Sequence, residues 1–129
     1  METEEQKENK TIKNKNFISA FCNACEGIGQ AIKTQINIRI QIIIAILTII
    51  LGIYFKISTI EWLFIIGAIF IVIIAETINT AIEACVDLVT TKYNKMAKIA
   101  KDVAAGAVLL ASAHAVIVGI IIFYNKIFF

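Results

Sequence analysis

The chain has 129 residues, 59% of them hydrophobic, no proline, and 12 basic against 10 acidic side chains for a formal net charge of +2. That composition is not that of a soluble domain built around one core, and no nucleic-acid partner is expected; it is the composition of an integral membrane protein. Charge is absent between Arg39 and Lys56 and between Asp102 and Lys126, and between Glu61 and Asp87 it is confined to Glu76 and Glu83.

Each of these runs, with its flanks, supplies the ~20 apolar residues that a membrane-crossing helix needs. An all-α membrane protein is therefore predicted, with spans at about 37–55, 61–88 and 100–124. Lys7, Lys10, Lys13, Lys15, Lys33 and Arg39 precede the first span. Lys92, Lys95, Lys98 and Lys101 lie between the second and third, against Lys56 and Glu61 in the other loop. By the positive-inside rule the N-terminus is cytoplasmic and the C-terminus lies outside. No cleavable signal is expected, since the first apolar run follows about thirty polar or mixed residues.

Residues 1–15 alternate acids, lysines and small polar groups and read as a solvated, disordered tail ahead of a single domain over 16–129. From Asn16, Phe17, Phe21, Ala24, Ile28, Ala31 and Ile32 recur at helical spacing, which predicts an amphipathic helix over about 16–35 in the cytoplasmic interface. Cys22 and Cys25 form a C-x-x-C pair, but no second pair or thioredoxin-like strand accompanies it, so helix packing is the better account of them and of Cys85.

The first span is Ile-rich, with Gln41, Thr48 and Gly52 its non-apolar members past Arg39. Ser58 or Thr59 can cap the second helix, and Trp62 suits the outer interface. If Trp62 marks that boundary, Glu76 lies about 21 Å down a roughly 30 Å hydrocarbon layer, in the inner leaflet, with Glu83 and Asp87 emerging beyond it. A polar loop over 90–95 leads to the third helix, where Ala107, Ala111, Ala115 and Gly119 form a small-residue stripe that permits close helix approach. His114, about halfway along, is either a proton relay or a neutral imidazole bonded to a neighbouring helix. Three helices enclose little interior, so homo-oligomerisation is expected.

Glu76, Asn79, Glu83 and Asp87 fall at i, i+3, i+7 and i+11, one face of a helix. With Lys101 and Asp102 entering the next helix on the same membrane side, both signs of charge meet. One carboxylate can hold a divalent cation, another can take a proton from a hydroxyl, and a lysine can offset phosphate charge. Phosphoryl transfer fits this set, and so does an ion or proton path using Glu76 and His114. Asp87 can lie near a nucleotide or cap the inner end of the span.

The stretch Glu76-Thr-Ile-Asn79-Thr-Ala-Ile-Glu83-Ala-Cys-Val-Asp87, followed by Ala97-Lys98-Ile99-Ala100-Lys101-Asp102-Val-Ala-Ala-Gly106, resembles the paired signature of the prokaryotic diacylglycerol kinase family, whose Gram-positive members are undecaprenol kinases. The likeness runs from about residue 16 to 124. It implies a multi-pass homotrimer in the bacterial cell membrane, an N-terminal surface helix on each subunit, ATP with Mg²⁺ arriving from the cytoplasm, and undecaprenol or diacylglycerol as the lipid alcohol. It further implies that Glu76 is the base, that Asn79 orients the site, and that Glu83 binds the metal bridging the ATP phosphates. Tyr93, Lys101 and Asp102 would contact the nucleotide. The family pattern Glu-x-Asn-x-Arg-Ile-His here reads Gln35-Ile-Asn37-Ile-Arg39-Ile-Gln41, so the second metal ligand becomes Gln35, which offers a carbonyl oxygen without charge. That departure leaves weaker metal binding, compensation by Glu26 or reduced activity as expectations, with a working enzyme favoured because Glu76, Asn79, Glu83, Lys101 and Asp102 all remain, and a catalytically silent relative retained for assembly or lipid binding as a further alternative.

Overall fold

In a computed structural model of the chain, residues 1–7 and 16–129 are described. The tail expected over 1–15 falls in part on 8–15, outside the described residues; residues 4–7 form one helical turn. The chain divides into two compact units, Met1–Thr34 and Gln35–Phe129.

The first unit holds α1, Phe17–Thr34. It starts where Asn16 Oδ1 accepts the Ser19 N–H at 2.8 Å, satisfying a donor that a helix start leaves unpaired. Phe17, Ile18, Phe21 and Ile28 are exposed.

The second unit holds α2 (Ile36–Tyr54), α3 (Thr59–Val89) and α4 (Lys95–Phe128), each long and apolar enough to cross a membrane. Helices α3 and α4 extend past the predicted spans, and capping side chains fix where they start. Asn94 Oδ1 accepts from Met96 N–H at 2.9 Å and Ala97 N–H at 3.1 Å, so α4 begins at Lys95 and carries its lysines in its first two turns. Ser58 caps α3 in a reciprocal box: its Oγ accepts the Glu61 N–H at 3.2 Å, while Glu61 Oε2 accepts the Ser58 N–H at 2.7 Å.

Helix α3 is the central element, packed along α4 and, less extensively, α2. Its buried residues Ile65, Ala68, Val72, Glu76 and Asn79 follow the 3–4 spacing of one helical stripe. Opposite them α4 buries Ala104, Ala111 and Ile122. Of the small-residue stripe, Ala111 is buried, Ala115 and Gly119 are half-buried and Ala107 is exposed. Such packing supplies the van der Waals contact that replaces the hydrophobic drive inside a bilayer.

The α2–α3 turn is set by close packing. Lys56 adopts a left-handed φ of 50°, and the Ile57 N–H donates to the Gly52 carbonyl at 3.2 Å. A Cβ on Gly52 would lie 2.7 Å from the Trp62 ring. Trp62 is thus half-buried against Gly52 and Ile57, not simply displayed at an interface. Lys126 Nζ meets Glu61 Oε2 at 3.4 Å, tying the start of α3 to the end of α4.

Candidate active site on α3 and α4

Along α3 the acid-and-amide stripe grades from buried to exposed: Glu76 is 2% and Asn79 7% exposed, Glu83 is half-buried, and Asp87 is exposed. Glu76 Oε1 and Asn79 Oδ1 are buried and lack a hydrogen-bond partner within the chain. Nearby hydroxyls do not serve them. Thr77 donates to the Ile73 carbonyl at 2.8 Å and Thr80 to the Glu76 carbonyl at 2.9 Å, both within the helix. Asn79 Nδ2 instead donates to Glu83 Oε1 at 3.3 Å, which turns its carbonyl oxygen away from Glu83 and leaves it open. A buried acceptor without a donor is unfavourable by about 1–3 kcal/mol. Two of them lie three residues apart on one face of α3, so each calls for a donor or cation from outside the single chain.

At the polar end of α3 the chain turns back through residues 90–94, and α4 brings its first turns alongside. Lys101 Nζ lies 2.7 Å from Asp87 Oδ1, and Glu83 stands one helical turn back from Asp87 on the same face of α3. Lys98 pairs with Asp102 one turn apart within α4. Asp87, Tyr93, Lys98, Lys101 and Asp102 line one pocket of about 250 Å³, so Tyr93, Lys101 and Asp102 are brought together as expected, with Asp87 among them.

Gln35 precedes α2, half-buried, and makes no side-chain cap to it. Because α2 and α3 are antiparallel neighbours joined by residues 55–58, equal rise along both helices puts Gln35 at about the level of residue 78. The described residues contain no group of three or more His, Cys, Asp or Glu side chains that could hold a metal. The available oxygens, Glu83 and the open Asn79 carbonyl with Gln35 at that level, suit a hard cation bound through one carboxylate and completed by water and substrate phosphates, as Mg²⁺ is.

His114 and Asn79 both line an apolar crevice of about 520 Å³ between α3 and α4, whose lining does not include Glu76. A second apolar groove, of about 410 Å³, runs between α2, α3 and α4 and includes Gln41, Thr48, Val72, Ser112 and Gly119. Val72 lies one turn from Glu76 on the same stripe. Gln41 Oε1 is buried there without a partner. That acceptor was not singled out in the sequence, where Gln41 stands only as a replacement for a histidine in an Ile-rich run.

The fold and site define a membrane protein of three apolar helices with an orphaned buried acid on α3, about three turns from a charged pocket at the polar end of the same helix. Residues 22–123 match the family model for prokaryotic diacylglycerol kinase, and the chain belongs to that family. Similar proteins include an undecaprenol kinase of Bacillus subtilis (strain 168), 39% identical over 114 residues that cover 86% of this chain and 90% of the relative. A diacylglycerol kinase of Synechocystis is 41% identical over 105 residues, covering 81% of this chain and 60% of that one. A diacylglycerol kinase of Escherichia coli (strain K12) is 28% identical over 109 residues, 84% and 89% of the two chains. The expected family is thus the one found.

Proposed function

We propose that the chain is an ATP-dependent kinase of a membrane lipid alcohol, with undecaprenol as the acceptor. The observation that carries this reading is the pairing of an orphaned, 2%-exposed Glu76 with the Lys101 pocket at the polar end of the same two helices. Undecaprenol is preferred to diacylglycerol because the undecaprenol kinase relative combines 39% identity with a match over 90% of its length, whereas the diacylglycerol kinases match at 41% identity over 60% of one and at 28% identity over 89% of another.

In the transfer, the lipid hydroxyl oxygen forms a bond to the γ-phosphorus of ATP while the bond from that phosphorus to the β,γ-bridging oxygen breaks and ADP leaves. Glu76 Oε1, with no donor on it, accepts the hydroxyl proton. The open Asn79 Oδ1 orients the reacting groups, and Lys101 and Asp102 hold the nucleotide with Tyr93 beside them. Glu83 and Gln35 would hold Mg²⁺, whose charge offsets that of the phosphates. The groove between α2, α3 and α4 suits the lipid chain, since its wall reaches Val72, one turn from Glu76, and is otherwise nearly all apolar.

The reading includes a homotrimer, a single kinase domain over 16–129, α1 lying amphipathically on the cytoplasmic surface, and a cytoplasmic N-terminus. Purified protein in lipid, given labelled ATP and Mg²⁺, is expected to phosphorylate undecaprenol in preference to diacylglycerol. Preference for diacylglycerol would shift the assignment within the family, and transfer to neither would sink the kinase reading. ATP-independent proton flux through vesicles, lost on Glu76→Gln, would instead favour the conducting path.

A further inference from the structure

We infer that Asp87 is a positioning residue for nucleotide binding: it holds the Lys101 ammonium in the α3–α4 pocket and keeps it from collapsing onto Glu83. The inference rests on the kinase reading above and adds to it a residue outside the family-derived catalytic and nucleotide-binding set.

The pair is made between helices. Lys101 Nζ reaches from α4 to Asp87 Oδ1 on α3 at 2.7 Å, fourteen positions away in sequence. Lys98 and Asp102, in the same pocket, are bonded within a single helix turn. The Lys101 and Asp87 side chains are 41% and 56% exposed, and an ion pair that open to water adds little to folding stability. Packing at Ala104 and Ala111 joins these two helices independently of the pair. The pair's effect is therefore to be sought in where it places the ammonium.

A lysine stem is flexible, and its charge goes to the best anion within reach. Lys101 contacts Asp87 on α3, and the next carboxylate on that face is Glu83, one helical turn nearer the buried end. Glu83 is already engaged at Oε1 by Asn79 Nδ2. With Asp87 in place, Lys101 stays at the mouth of the pocket where phosphate oxygens can reach it, and Glu83 keeps its charge for the nucleotide-bound cation. Without that carboxylate, Lys101 swings inward to Glu83, so that phosphate binding loses a prepositioned donor and Glu83 is neutralised.

The test is a double-mutant cycle on the full chain in lipid, reading the Kd for ATP without acceptor, the KM values for ATP and undecaprenol, and the thermal midpoint. Asp87→Asn is expected to raise the Kd and KM for ATP about tenfold, the scale of one charge-assisted contact. The KM for the lipid and the thermal midpoint should hold steady, and Asp87→Glu should recover most of the affinity. Lys101→Ala should weaken ATP binding, and Asp87→Asn added to it should weaken it no further. If Lys101→Ala weakens binding while Asp87→Asn is silent, lowers the Kd, or adds fully to Lys101→Ala, Asp87 does not position Lys101 and the kinase reading stands. If the unmodified protein neither binds ATP nor transfers phosphate, the kinase reading itself is lost.

Discussion

Glu76 is buried with its Oε1 unpartnered within the chain, so what replaces it decides whether its role is structural or chemical. Gln fills the same space, cannot accept a proton at that position, and removes the buried charge, so it should be tolerated by the fold. Glu76→Gln is expected to lower turnover by about 10²–10⁴-fold, the range for a general base, with an unchanged or raised thermal midpoint. A fallen midpoint together with retained turnover would make Glu76 a packing residue. Gln35 poses the converse case, a neutral amide where the family pattern has an acid. Gln35→Glu adds a charged oxygen at about the level of Asn79 and should lower the Mg²⁺ concentration for half-maximal activity, read by titrating Mg²⁺ at saturating ATP. No change would mean that Gln35 does not reach the cation.

The helices differ in how much of them could be read from the chain. The stripe from Glu76 to Asp87 was legible because a single helix fixes its own periodicity, and the structure grades its members from buried to exposed in order. Contacts between helices were not legible. The Lys101–Asp87 pair depends on the register that residues 90–94 impose on α3 and α4, and whether Gln41 meets lipid or a neighbouring helix depends on the rotation of α2 about its axis. Helix starts were legible: Ser58 or Thr59 was expected at α3 and Ser58 serves, and the helix expected after the polar loop at 90–95 starts at Lys95 behind Asn94. Asn94 also borders the pocket proposed for the nucleotide. Asn94→Ala should therefore destabilise the protein by about 1 kcal/mol, read by thermal or denaturant unfolding, and should also raise the KM for ATP, because the turn that carries Tyr93 loses its anchor. Ser58→Ala is the control at the other end of α3: a similar loss of stability with no change in that KM. Equal effects of both on the KM would mean that the α4 cap has no local link to the pocket.

The strongest demand on the molecule as a whole comes from the uncovered side of α3. Ile66, Phe70, Ile74 and Ile78 follow one another at four-residue intervals along this central helix and are each 43–60% exposed in the single chain, away from the stripe that contains Glu76. The α3–α4 crevice beside them, which holds Asn79, also stands open. In a bilayer, lipid tails can cover such a strip, but tails cannot satisfy the orphaned Asn79 carbonyl or keep the site's geometry fixed. Three copies meeting through α3 would replace mobile lipid with packed side chains at little cost, since helix association in lipid turns on close fit. The expected mass in lipid nanodiscs is three times the 14.3 kDa chain. On dilution in detergent, phosphate transfer per chain should fall over the same range in which that mass falls to the monomer. Activity that persists unchanged in a dissociated chain would mean that α2, α3 and α4 of one copy suffice, and that the exposed strip faces only lipid.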